Sequence, residues 1–209
     1  MLKLRKLREN NKLIIKLNKD NLNYYFRNIK RIIRYCDHYN LFLELYYNNI
    51  KLNDSKVNKN IDNDIKDLIT IMNAINIKDK YKRYEYIYDT VCSYLDNIIT
   101  KENYCEFIND QCIRDRLKGN NHKNGCCECK GRGKCKYLID SVCTEKSCMA
   151  CKLFTCKILK EKGIKHDLND FLLIKCFFSR RQKDILEFSY WTPKKVVIDR
   201  LIKNKYVRP

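Results

Sequence analysis

The sequence predicts a mainly α-helical protein interrupted by one cysteine-rich, loop-dominated insert. Three observations predict it. Apolar residues recur at three-four spacing over most of the chain, the period of an amphipathic helix. Only two prolines and five glycines punctuate 209 residues, too few for a turn-rich sandwich. Eight of the 13 cysteines fall between Cys126 and Cys156, where uniform placement would put about two. The apolar fraction of 44%, with 11% aromatics, is enough for a buried core and excludes wholesale disorder.

Leu22, Tyr25, Phe26, Ile29, Ile32, Ile33 and Cys36 open the helical pattern, and the apolar stretch Tyr39 to Tyr47 extends it. One long helix or two consecutive helices through Ile50 are expected. Residues 53 to 60 are a polar break. Ile65, Leu68, Ile69, Met72 and Ile75 mark a second helix over 62 to 75, with Asp62, Asp64 and Asp67 suiting its positive N-terminal end. A third is expected from Lys80 to Ile99, where Tyr84, Tyr88, Val91, Leu95 and Ile98 share a face.

A shorter helix over 102 to 117 would place Cys105 and Cys112 together, seven residues apart. Residues 118 to 125 read as a loop. Beyond the insert, Asp167 or Asn169 is expected to cap a helix holding Phe171, Leu172, Ile174 and Phe178, continuing to Ile185 and Leu186. Thr192 before Pro193 is a start signal for the last helix, with the hydroxyl accepting from a free amide. No strand and no internal repeat is predicted. The domains expected are an N-terminal helical region over 1 to 118, a cysteine-rich metal-binding segment over 119 to 157, and C-terminal helices over 158 to 209 packing on the rest.

The chemistry lies in the insert. Cys126, Cys127, Cys129, Cys135, Cys143, Cys148, Cys151 and Cys156 occur where large apolar residues are scarce before Leu153. Thiolates are soft ligands for zinc or iron-sulfur centres, and bound metal supplies folding energy that burial there does not. The cofactors expected are zinc, one or two ions, or an iron-sulfur cluster. The eight thiols can form two four-thiolate sites or one larger centre. Cys36, Cys92 and Cys176, set in apolar helical stripes, read as small core residues. His122 and Cys112 flank the cluster, and His38 and His166 have no matching partners in sequence.

The order Gly125-Cys126-Cys127, then Cys135-Lys136-Tyr137-Leu138, then Cys143, then Cys151-Lys152-Leu153-Phe154-Thr155-Cys156 resembles the YkgJ-type cysteine-cluster proteins. The likeness covers residues 125 to 156, about 15% of the chain. Seven residues separate Cys127 from Cys135, fewer than in that family. Met149-Ala150 stands where an Arg-Pro pair is common, and Cys129 and Cys148 are additional. The resemblance implies zinc or iron-sulfur binding, with Cys126, Cys127, Cys135, Cys143, Cys151 and Cys156 as ligands.

No phosphate loop, nucleophile elbow or zinc-protease helix motif occurs, so the sequence names no catalytic residue, and an iron-sulfur redox role is the one enzymatic reading left. An odd number of cysteines precludes complete internal disulfide pairing, and neither a secretory leader nor an apolar run of membrane length is read in the sequence. A reducing, cytoplasmic setting without membrane association is expected.

The formal charge of +19, from 44 Lys+Arg against 25 Asp+Glu, suggests RNA, DNA or a nucleic-acid-containing complex as partner. The alternative function is a basic, zinc-stabilised nucleic-acid-binding or ribonucleoprotein-binding adaptor or inhibitor. Its cations include Lys123, Lys130, Arg132, Lys134, Lys136, Lys146, Lys152 and Lys157 around the cysteines, with Arg180, Arg181, Lys194 and Lys195 beyond. Two facts weaken this pull. Lys, Ile, Asn and Tyr, all encoded by A/T-rich codons, make up 93 of 209 residues, so base composition alone supplies much of the charge. Two zinc ions on eight thiolates would also lower +19 to about +15.

Overall fold

The computed structural model describes residues 4–52, 63–102, 107–108, 111–112, 138–139, 142–143, 148–153, 160–161 and 163–204. They are mainly helical. The chain divides into two compact units, Met1–Ile87 with Phe171–Arg180, and Tyr88–Asp170 with Arg181–Pro209.

The first unit corrects the expectation that no strand would form. After a 3-10 turn at Leu4–Leu7 come β1 (Arg8–Glu9), β2 (Lys12–Leu17), β3 (Phe42–Tyr47) and β4 (Ile50–Lys51), hydrogen-bonded in that order. β2 and β3 run parallel, pairing Leu13 with Leu43 and Ile15 with Leu45. Parallel neighbours need a crossover. Here α1 (Leu22–Arg27) and α2 (Ile29–His38) provide it. The helix expected through Tyr39 to Tyr47 is therefore wrong: it ends at His38 and the chain re-enters the sheet.

The physical reason lies in period two. Leu13, Ile15, Leu17, Leu43 and Leu45 are buried on one face, while Lys12, Lys16 and Phe42 are exposed. On the polar face Glu44 accepts from Lys12 at 2.7 Å and Lys51 at 3.0 Å, and these two cations hold its carboxyl below the usual carboxylate range. Register pairs Tyr47 with Ile50, so Asn48-Asn49 alone close the β3–β4 hairpin. Both have positive φ, 48° and 64°, as the tight turn matching strand twist requires. Asn10 (52°) at the β1–β2 turn and Asn40 (50°) between α2 and β3 take the same left-handed region, where asparagine is among the tolerated residues.

α3 (Asn63–Asn76) buries Ile65, Leu68, Ile69, Ile71, Met72 and Ile75, and packs on β3. At its end the Asn76 amide accepts from the Leu43 N–H at 2.7 Å and donates to the Leu43 carbonyl at 2.9 Å. Lys78 donates to the Leu41 carbonyl. α4 (Lys80–Glu102) begins here, as its spacing predicts. Residues 102 to 117 do not continue as a helix in the part described: β5 (Phe107–Ile108) and β6 (Gln111–Cys112) form an antiparallel pair, as do β7 (Leu138–Ile139) and β8 (Val142–Cys143). Cys112 thus lies on a strand rather than a helix, and Cys105, expected to share a helical face with it, lies outside the described residues.

Met149–Leu153 form α5, so this end of the insert is helix rather than loop. After a 3-10 turn at Leu168–Asp170 the helix expected across Phe171 to Leu186 divides into α6 (Leu172–Phe177) and α7 (Arg180–Phe188). Phe178, buried and extended, ends α6 and stacks edge-on against Tyr84 at 4.9 Å. Asp167 accepts from the Asn169 N–H within the 3-10 turn, but α6 starts at Phe171 without a side-chain cap. The last helix, α8 (Lys194–Lys203), begins after Pro193 as expected. The Thr192 hydroxyl, however, donates to the Tyr190 carbonyl at 3.1 Å rather than capping it. Gln182, buried, donates to the Leu201 carbonyl at 2.9 Å near the end of α8, and Asn204 (φ 50°) closes it.

Candidate metal centre

Of the eight thiols singled out by spacing, Cys148 and Cys151 have described side chains. Cys143 is described as the last residue of β8, and Cys126, Cys127, Cys129, Cys135 and Cys156 lie outside the described residues. The described geometry is a face of α4 meeting α5, entirely within the second unit.

Residues four apart on a helix stand above one another. Tyr88, Cys92 and Asp96 have that spacing, and the first and last of them each bond a different part of α5. The Tyr88 hydroxyl accepts from the Met149 N–H at 2.7 Å, a bond buried on both sides. Asp96 takes the Lys152 ammonium, whose side chain is only 5% exposed. Cys92 lies within electrostatic reach of Cys148, Lys152 and Asp96. Two α4 side chains, Tyr88 and Asp96, thus hold the short helix that carries Cys151 and follows directly on Cys148. Lys152, read in sequence as a free basic residue beside the cysteines, is instead a buried cation neutralised by its carboxylate partner.

The two described thiols differ. Cys148 is 1% exposed, and its Sγ lies 3.4 Å from the Ser189 carbonyl oxygen, an S–H donating to an acceptor. Cys151, one turn on, is half-buried. The Ser189 hydroxyl is buried with no hydrogen-bond partner among the described residues. Tyr190 follows, its phenol pushed up by burial and then by the neighbouring Cys151, Glu187 and Cys148. A cavity of about 170 Å³ lies alongside, bounded by Leu153, His166, Asp167, Glu187 and Tyr190 among others. Among the described residues no group of three His, Cys, Asp or Glu side chains converges where one ion can sit.

Cys36 and Cys92 occupy the core as their helical stripes predict, and burial pushes both thiols up to about 12. Cys176 is only half-buried. Sequence reasoning missed the convergence of Cys92 on Cys148. They are 56 residues apart, and no local pattern joins them. Asp89 and Asp96 were equally unmarked, although their acidic spacing along α4 receives Lys194 (3.0 Å) and Lys152.

No protein-family model matches this chain, no curated protein is similar to it, and no solved structure shares a detectable likeness with it. Among the described residues no helix is long and apolar enough to cross a membrane.

Proposed function

We propose that the chain is a metal-binding cysteine-cluster protein, with zinc or an iron-sulfur centre held by thiolates drawn from Cys126, Cys127, Cys129, Cys135, Cys143, Cys148, Cys151 and Cys156. The observation that carries this reading is the concentration of these eight thiols in 31 residues that offer little else to bury. The local likeness to YkgJ-type proteins agrees with it.

The surroundings of α5 support the reading chemically. A metal-bound thiolate has no proton to donate, so Cys148 as a ligand gives up its bond to the Ser189 carbonyl. The Ser189 hydroxyl, in the residue whose carbonyl now takes the Cys148 S–H, is buried and without a partner among the described residues. Cys151 needs less rearrangement, being half-buried already. Bound metal would supply structural cross-linking of the segment or, as an iron-sulfur cluster, an electron site. The chain's own part is to hold α5 through Tyr88 and Asp96.

Elemental analysis of anaerobically purified full-length protein tests the proposal. One or two zinc ions per chain, or iron with acid-labile sulfide and a visible absorption that bleaches on reduction, is the expected result. Protein without stoichiometric metal, whose Cys151 alkylates equally fast before and after chelation, overturns it. A colourless zinc protein removes the redox variant alone.

The second reading, a zinc-stabilised nucleic-acid or ribonucleoprotein adaptor, is favoured by the net charge of +19. Lys152 and Lys194 leave its list of available cations, each being bound to an aspartate of α4.

A further inference from the structure

The first unit contains a second, chemically different site. A cavity of about 490 Å³ opens between α2, the start of α4 and the end of α6. Its size falls within the roughly 300–1,000 Å³ of pockets that take small organic ligands. Four cations bound it, Arg34, Lys78, Lys80 and Arg83, against one carboxylate, Asp37.

Arg83 and Asp37 satisfy each other. The Arg83 guanidinium donates to Asp37 at 2.8 Å and to the carbonyls of Ile77 (2.9 Å) and Ile75 (3.3 Å), which makes it a fixed strut. Arg34, Lys78 and Lys80 are left with no ion pair among the described residues. Lys78 has one ammonium proton on the Leu41 carbonyl and lies 4.6 Å from the Phe42 ring centroid, while Lys80 lies 5.6 Å from that of Tyr84. Neither contact removes the positive charge. Burial, and to a lesser degree the nearby Arg83, pulls the Lys78 ammonium below the ordinary lysine value. The lining also has apolar members: Ile33 is buried, and Phe177 is half-buried with its ring 5.9 Å from the Arg83 Cζ.

We propose that this cavity binds a nucleotide, its phosphate on Arg34, Lys78 and Lys80 and its base or sugar against Phe177 and Ile33. Cations supply charge-assisted bonds to phosphate oxygens. A bare phosphate would fill only part of the volume and leave the aromatic wall unused. The same chemistry is offered by a free nucleotide and by one residue of a single strand, whose bases stack on aromatic side chains. All of the residues belong to the first unit, so the site does not rest on the metal reading.

The full-length protein is titrated with ATP and with ADP by calorimetry, and with a fluorescent single-stranded oligonucleotide by anisotropy, at about 50 and 200 mM salt. Arg34→Gln/Lys80→Gln removes two exposed cations of the cavity. Arg5→Gln/Lys6→Gln removes two exposed cations of the same unit away from it. The cavity variant is expected to weaken binding at least tenfold, since it removes two charge-assisted contacts to the phosphate. The control is expected to stay within about twofold. Saturable binding of ATP or ADP, displaced by pyrophosphate, identifies the free nucleotide as source. Binding of the strand alone, lost in the cavity variant, identifies nucleic acid. Absence of binding by every probe at low salt overturns the proposal, as does equal weakening in the control, which would mark a diffuse basic surface.

Discussion

Replacing Tyr88 by phenylalanine removes one oxygen atom and keeps the ring that fills the core. That oxygen accepts the Met149 N–H at 2.7 Å, at the start of the helix carrying Cys151. Tyr88 is 1% exposed and Met149 fully buried, so water has no direct route to replace the acceptor. A buried donor left without a partner costs about 1–3 kcal/mol, and the dry surroundings place this one near 2 kcal/mol. Since 1.4 kcal/mol is tenfold, the second unit's folding equilibrium should fall by roughly 25-fold. Urea unfolding followed by circular dichroism measures the loss, and hydrogen exchange at the Met149 amide localises it. Faster exchange at that amide is expected along with the global shift. A change below about 0.5 kcal/mol with unaltered Met149 exchange would refute the reasoning. It would mean that Tyr88 holds α5 by packing alone.

Two further outcomes follow from the same kind of reasoning. Asn76→Ala should cost about 2 kcal/mol or more in urea unfolding, because both Leu43 backbone groups lose their partner; Asn76→Asp can still accept but no longer donate, and its deficit should narrow below about pH 4, where the protonated acid donates again, whereas a deficit independent of pH rules this account out. Burial raises the Cys36 and Cys92 thiols from 9.0 to about 12, so between those values the unfolded chain holds fewer protons and stability is lost as pH rises. Each thiol contributes a slope of about −1.4 kcal/mol per pH unit there, and Cys36→Ala/Cys92→Ala should unfold with a visibly flatter alkaline limb; matching slopes in the two proteins contradict the assignment.

Long amphipathic elements were legible from sequence because their period repeats often enough to average out exceptions. α3 and the start of α4 fall where Ile65 to Ile75 and Tyr84 to Leu95 predict. The sheet was not legible because its signal is short and diluted. Ile14 breaks the alternation of Leu13, Ile15 and Leu17, and Phe42, Tyr46 and Tyr47 make β3 apolar on both faces. Asn48-Asn49 carried the missing information, but in a chain with so many asparagines the turn pair was indistinguishable from composition. At the candidate site, spacing identified the cysteines themselves. It did not indicate that Cys148 would be held as a hydrogen-bond donor beneath Ser189, because that contact spans 41 residues.

The asparagines also determine where the sheet stops. β1 pairs only with Lys12 and Leu13 of β2, and β4 only with Tyr46 and Tyr47 of β3, so both central strands have outer backbone groups beyond their short neighbours. Unsatisfied edges of that sort invite a strand from another molecule. Asn76 takes both groups of Leu43 on β3, and the Asn21 amide donates to the Lys16 carbonyl on the β2 side. These side-chain amides take up three of the outer backbone groups, and a side chain cannot be extended as a strand can. Residues that a skewed nucleotide composition supplies in abundance thus cap backbone groups of both central strands where their short neighbours end.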